Sequence, residues 1–432
     1  MKRSDDKNNS DKLSRSQKIN IKVEKEREHN PYYLKVSKRY RTLKFASLAL
    51  LLVYLIAMLV MYRSSITYEN LVYLMKDLDT DIDATGAVFK EVKYDESSKM
   101  SAGLYKGSLA VATTTSFTLY NTTGTAEREY SISMENPKVL TGEKYVMVYD
   151  VGGSSYSVYT AIVDVLTKQT DYTLQGAALS DSGAFALISR ARENRYMVSF
   201  FDENFKEVSR IYKDRYVMDA ALSADGENYA VVSCDVEGSD ITTEVMSGRC
   251  DSESAVTSTI SGAMPLKVGF FSDGSFCVVC DDAVSFFSKD GASVSEHRLN
   301  GYGVSGVSFS KERVMIVESD NIVESRSTVT VYDHKGEVVL TREETKVASS
   351  ALGEGAAYLA YDGQLTRVSF DGAVRRAECS LSVSSLIPFS DNVLVLGPTS
   401  AVTGFAPQET AESGSSEDTS APGVDADFEP IS

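Results

Sequence analysis

One short pattern recurs along most of this chain: a small or apolar run, a polar turn that usually holds Gly, and a β-rich apolar run. It reads AALSDSGAFALIS at 177–189, AALSADGENYAVVS at 220–233, GFFSDGSFCVVC at 269–280 and SSALGEGAAYLAYD at 349–362. Weaker copies are GLYKGSLAVAT (103–113), KVLTGEKYVMVYD (138–150), VSFSKERVMIVES (307–319) and LIPFSDNVLVLGP (386–398). Gly183, Gly226 and Gly274 are 43 and 48 residues apart, and Gly274 to Gly355 covers two more periods of about 40, the spacing of propeller blades. Eight copies predict an all-β protein, a β-propeller of eight blades, with seven as the alternative.

A second pattern sits between the copies, an alternating strand that ends in an aromatic residue and a polar turn. Its instances are SFTLYNTTG, MVSFFDEN, AVSFFSKDG, TVTVYDHKG and LTRVSFDG. Turns such as Lys289-Asp290-Gly291 and His334-Lys335-Gly336 place Gly where a hairpin needs positive φ, and charged strands such as VVLTREE follow. Each repeat therefore predicts four strands, with a second strand covered on both faces by neighbouring blades and a fourth that meets water. No blade buries its faces alone, so stability requires the ring to close. The last copy supplies only three strands, at 386–389, 393–397 and 401–406, and residues 88–94 are the expected source of the fourth. The diverged stretch 234–268, rich in Ser and Thr, is where an irregular blade would hide.

Residues 45–62, FASLALLLVYLIAMLVMY, form 18 uncharged residues between Lys44 and Arg63, and a helix needs about 17 to 25 apolar residues to span a bilayer. A long polar leader precedes the run and no small-residue cleavage site follows, which favours an uncleaved anchor over a secretory signal. Lys35, Lys38, Arg39, Arg41 and Lys44 crowd its first side, so the N-terminus is expected in the cytoplasm. Residues 1–44 hold 14 Lys and Arg against 6 Asp and Glu, leaving 30 basic and 55 acidic side chains beyond them. An acidic ectodomain of that kind argues against nucleic acid as its partner.

The expected organisation is a basic cytoplasmic tail (1–44), a transmembrane helix (45–62), an extracytoplasmic helical linker (63–87), a propeller (88–406) and a disordered acidic tail (407–432). The linker helix rests on Leu71, Leu74, Met75 and Leu78 at helical spacing. The run lacks a GxxxG face, although Ala46, Ser47, Ala49 and Ala57 permit modest helix packing, so the oligomeric state is left open.

The residues that carry chemistry are sparse. Of the three His, His29 lies in the tail and His297 and His334 fall on outer strand or hairpin positions, with no HExxH spacing. No GxSxG elbow is present, and Gly153-Ser154-Ser155-Tyr156-Ser157 reads as a loop. Asp79, Asp81 and Asp83 begin like a calcium loop, but Ala84 and Lys90 stand where Gly and Glu are required. Cys277 and Cys280 form a CxxC within one strand, where residues three apart point to opposite faces. A Cys234–Cys250 bridge is the other pairing considered, and five Cys leave at least one unpaired. No catalytic, cofactor-binding or metal-binding residue is assigned, and no cofactor is expected.

The repeat ALSADGENYAVV with its YMVSFFDEN and TVTVYDHKG hairpins resembles WD-repeat and pyrroloquinoline-quinone-like propellers. Together with the anchor and the stretch SITYENLVYLMKDLD (65–79), it is similar to an uncharacterised family of single-pass, propeller-bearing membrane proteins of Gram-positive bacteria. The chain has no Trp, so it departs from both the Trp-Asp dipeptide and the quinone-type repeat. The resemblance speaks to architecture, and the function expected of such a repeat fold is a non-enzymatic binding or scaffold module at the cell envelope. Its partners would be the lipid bilayer through 45–62 and an envelope protein, peptide or glycan. The alternatives are a propeller enzyme (hydrolase, lyase or quinone-like oxidoreductase) with its site at the central channel, and a transmembrane sensor.

Overall fold

The computed structural model describes residues 31–61 and 89–405, apart from 98, 162, 193–194, 239, 253 and 321–325. The chain divides into two units, 1–80 and 81–432. The described part of the first is one helix, Pro31–Met61, which starts 14 residues before the apolar run. Proline suits a first helical turn, whose N–H groups have no partner, and the Lys and Arg that follow are good helix formers. At about 1.5 Å per residue the helix is about 46 Å long. Its stretch Arg39–Ala57 has mean hydropathy 1.5 and no buried residue, long and apolar enough to cross a membrane. Apolar residues lie all round it, as in a helix that faces lipid. Tyr62, the linker reading at 63–87, the calcium-like stretch and the tail 407–432 lie outside the described residues.

The second unit is an eight-bladed propeller of four-stranded antiparallel sheets, which settles the count at eight rather than seven. The first seven blades cover 101–131, 137–169, 173–213, 216–261, 265–298, 303–345 and 349–378, each with its strands a to d in chain order from the centre outward. Blade 8 takes three strands from 385–403 and its outermost from Val92–Lys93. The ring closes as the sequence predicts, though with a ladder of only two residues, Val92 opposite Ala401 and Lys93 opposite Ser400. Burial does more than the ladder here. Phe89, Val92 and Tyr94 are all buried, and side chains of this kind contribute about 1.5–3 kcal/mol each. The Tyr94 hydroxyl also donates to the carbonyls of Gly397 and Ser400, at 2.8 and 2.9 Å.

Three b strands, Ser108–Ala112, Val146–Asp150 and Phe276–Cys280, are buried along their whole length, while the d strands Ala126–Ser131 and Ser293–Arg298 are largely exposed. The core is not one mass. Eight apolar clusters each bridge two successive blades, for example Ala110 and Phe117 of blade 1 against Val146 and Val148 of blade 2. The closing cluster sets Leu394, Leu396 and Ala401 against Leu109 and Val111. Inner strands need small residues where they converge, and a Cβ on Gly269 would sit 2.5 Å from the Phe309 ring of blade 6. The stretch suspected of hiding an irregular blade is regular: Asn228–Glu237 and Asp240–Arg249 form the long b–c hairpin of blade 4.

Candidate functional site at one mouth of the central channel

The turn that joins strands a and b occurs once in every blade, so these turns gather at one mouth of the channel. Their geometry follows from their residues. Gly183, Gly226 and Gly274 adopt φ of +97°, +74° and +85°, the left-handed region that a Cβ disfavours. Asp and Ser tighten the same turns from the side. Asp273 Oδ1 accepts the Ser275 N–H and hydroxyl, and Asp225 Oδ1 accepts the Glu227 N–H.

Backbone bonds then tie turn to turn. Lys144 N donates to Asp181 O at 3.2 Å, Ser182 N to Ala224 O at 3.0 Å, and Ser272 N to Lys311 O at 2.7 Å. Lys311 N donates in turn to Glu354 Oε1 at 3.4 Å. The mouth is thus a clamped rim on which side chains are displayed.

A cavity of about 420 Å³ opens there, walled by the turns of five consecutive blades, 2 to 6. Its polar groups include Glu143, Asp181 and Lys311, with the hydroxyls of Ser180, Ser182 and Ser272. Leu179, Leu222, Phe270 and Phe271 line the same space as an apolar floor. Lys311 Nζ lies 3.2 Å from Glu143 Oε1, a contact between blades 6 and 2, which stand opposite each other in the ring. The pair therefore bridges the mouth. Burial, then the charge of Glu143, raises the Asp181 carboxyl above its ordinary value, while Glu143 raises the Lys311 ammonium. Deeper in the channel, Asp219 on Tyr216–Leu222 accepts the Val268 N–H at 3.0 Å, and burial pushes its carboxyl up to about 6.

Ser180 Oγ lies 2.9 Å from both Ser182 Oγ and Ala184 O, with no imidazole beside it. The residues weighed from sequence are not brought together. His297 sits on the outer strand of blade 5, its ring 5.2 Å from that of Tyr332, and His334 Nε2 is 3.8 Å from Asp273 Oδ2. Ser157, in strand c of blade 2, meets Thr167 Oγ1 at 2.9 Å. Cys277 and Cys280 share one buried strand as free thiols. Cys234 lies opposite Thr243 in mid-hairpin, whereas Cys250 follows the far end, its N–H bonded to Glu227 O, so the bridge between them is ruled out by register. Among the described residues, no three His, Cys, Asp or Glu gather as a metal site.

Glu143, Asp181 and Lys311 were not singled out from sequence. For Asp181 and Lys311 a signal was present at the second residue after the apolar end of strand a, which reads Gly107, Gly142, Asp181, Ala224, Ser272, Lys311, Glu354 and Asp391, while Glu143 stands one residue beyond it. Lys311 is the one base in that series.

Residues 85–400 match a model described as "Family of unknown function (DUF5711)". No curated protein matches the sequence. Among solved structures the chain is similar to the Dos1 propeller, with 9% identity and a TM-score of 0.51 over 73% of this chain and 94% of that one. It is also similar to the WD40 domain of Neurospora crassa Pan2, at 9% identity and 0.47 over 74% and 95%. At such identity the likeness to Dos1 speaks to the fold alone.

Proposed function

We propose that this chain, which belongs to the family of unknown function DUF5711, is a membrane-anchored binding or scaffold module whose recognition surface is the clamped channel mouth. One observation carries the reading: five blades contribute side chains to a single cavity that a lysine spans. Propellers commonly present such a mouth to a partner, and the chemistry of a fold resides in its site rather than in the fold. The Pro31–Met61 helix supports the anchor through its unburied apolar stretch, and the basic residues Lys35, Arg39, Arg41 and Lys44 favour a cytoplasmic N-terminus. The propeller then stands outside the membrane, where an envelope protein, peptide or glycan is its partner.

Two measurements test this. Protease added to intact cells removes the propeller if it is extracytoplasmic, and full protection would reverse the orientation. In-cell crosslinking then compares the intact protein with a version lacking residues 66–405, and with the variants Glu143→Gln and Lys311→Ala. Partners lost from the deletion and altered in the mouth variants support the reading. Partners unaffected by all three changes would remove the mouth from recognition.

A further inference from the structure

We infer that the mouth between Glu143 and Asp181 receives a primary ammonium group, from a lysine side chain or the free N-terminus of a bound peptide, with Lys311 as its resident stand-in. The inference rests on the binding-module reading and names the ligand class of that same site. Charge comes first. Two carboxylates from adjacent turns face one lysine, so the mouth becomes negative whenever that lysine swings out. Asp181 already feels the crowding, since burial and Glu143 both work against its ionised form, and a cation relieves the second of these.

The floor then selects which cation. Leu179, Leu222, Phe270 and Phe271 offer apolar surface beside the carboxylates, and a lysine side chain buries its methylene stem on such surface while its ammonium reaches polar groups. A hard metal ion gains nothing from that floor. It also takes about six to eight oxygen ligands, and two carboxylates fall well short. The cavity of about 420 Å³ lies within the roughly 300–1,000 Å³ of ligand pockets, enough for a side chain together with adjoining backbone.

The resident lysine is built to be displaced. Its backbone is fixed on both sides, with the Lys311 N–H bonded to Glu354 and its carbonyl to Ser272, while its Nζ is held by Glu143. Lys311 and Glu143 are 63% and 69% exposed, and pairs that open to water compete with a ligand by no more than about fivefold. Lys311 therefore acts as a weak lid on a preformed site, and its removal leaves the rim intact.

Full-length protein in nanodiscs, titrated calorimetrically with three peptides, tests the inference: acetyl-Gly-Ser-Lys-Ser-Gly-amide, its norleucine counterpart, and Gly-Ser-Ser-Gly-amide with a free N-terminus. Lys311→Ala is expected to bind at least one amine probe up to about fivefold more tightly than the parent. The norleucine peptide should bind at least tenfold more weakly than the lysine peptide if the side chain is the source. Preference for the free-amine peptide assigns the N-terminus instead. Adding Glu143→Gln and Asp181→Asn to Lys311→Ala should weaken the preferred probe at least tenfold, with the urea midpoint of each variant showing that it folds. Equal binding of norleucine and amine probes, equal binding by the carboxamide variants, or no saturable amine binding by Lys311→Ala would overturn it. If that happens while crosslinked partners still change in the mouth variants, the ammonium class fails and the binding module stands.

Discussion

Asp219→Asn tests the electrostatics of the channel. The Asp219 carboxylate sits on the inner strand of blade 4, just past a bulge between Val217 and Asp219, and accepts the Val268 N–H of blade 5. Burial raises its carboxyl from 3.8 to about 6, against the opposing pull of the Val268 and Ala220 N–H groups and of Lys267. A shift of about two units corresponds to about 3 kcal/mol between the two protonation states. Part of the residue touches channel solvent, so that figure is an upper bound.

The sign follows from proton counting. Below about pH 4 both folded and unfolded chains carry the proton, and the group contributes nothing. Between about pH 4 and 6 the unfolded chain releases its proton first, so stability falls as pH rises, and above about 6 the loss is complete. Asparagine carries no charge and keeps an oxygen for the Val268 N–H. Its own fit adds an offset independent of pH, which the low-pH measurement records. Urea unfolding of parent and variant at several pH values should show the variant gaining up to about 3 kcal/mol relative to the parent between about pH 4 and 7.5. A difference constant to within about 0.5 kcal/mol across that range would refute the argument, since it would mean that the carboxylate is solvated as in the unfolded chain.

Three further outcomes are expected. Tyr94→Phe removes the hydroxyl that donates to Gly397 and Ser400 across the closure, and should lower stability by about 1–2 kcal/mol in urea unfolding. An unchanged midpoint would show that the ring is not held there. Thiol titration of the folded protein should find one fast group, the half-buried Cys379, and five after denaturation. Burial raises the thiols of Cys234 and Cys277, and raises Cys250 and Cys280 to about 12, so two or more fast thiols would contradict the packing. Gly269→Ala places a methyl 2.5 Å from the Phe309 ring and should cost about 1–3 kcal/mol, with Phe309→Leu recovering part of it. Full tolerance of the single change would mean that the inner strands are looser than described.

The blade count was legible because two local demands recur at fixed spacing. A tight a–b turn calls for Gly at positive φ, as at Gly183 and Gly226, and a strand covered on both faces must be largely apolar, as in Val146–Asp150 with its four apolar residues before Asp150. Blade 4 was harder to read because its Ser- and Thr-rich hairpin looks like an insertion by composition. Alternation was the better guide, since Asp240–Arg249 buries Thr243, Val245 and Ser247 on one face. Apolarity marks what suits lipid and not where a helix begins, and Lys35, Arg39 and Arg41 are compatible with helix, so the helix extends back to Pro31 beyond the apolar run. The rim position was legible one turn at a time, as at Asp181 and Lys311, but the pairing across the mouth was not. Glu143 and Lys311 are 168 residues apart, and nothing local says that turns from opposite blades meet. Their contact exists only once the ring has closed.

That dependence separates what stabilises this protein from what distinguishes it. Core residues such as Phe117, Leu187 and Val395 are sealed between blades, where truncation to Ala costs about 2–5 kcal/mol. The mouth is held instead by main-chain bonds, Lys144 to Asp181, Ser182 to Ala224 and Ser272 to Lys311, which survive any change of side chain that keeps the turn. Exposed substitutions of that kind usually stay within about 0.5 kcal/mol. The second position after each inner strand is therefore free to vary in charge while the ring remains intact. Blades 3, 6 and 7 already place Asp181, Lys311 and Glu354 at that position. On the proposed reading, such a surface changes its ligand through the rim and its stability through the blade interfaces, and the two respond to different mutations.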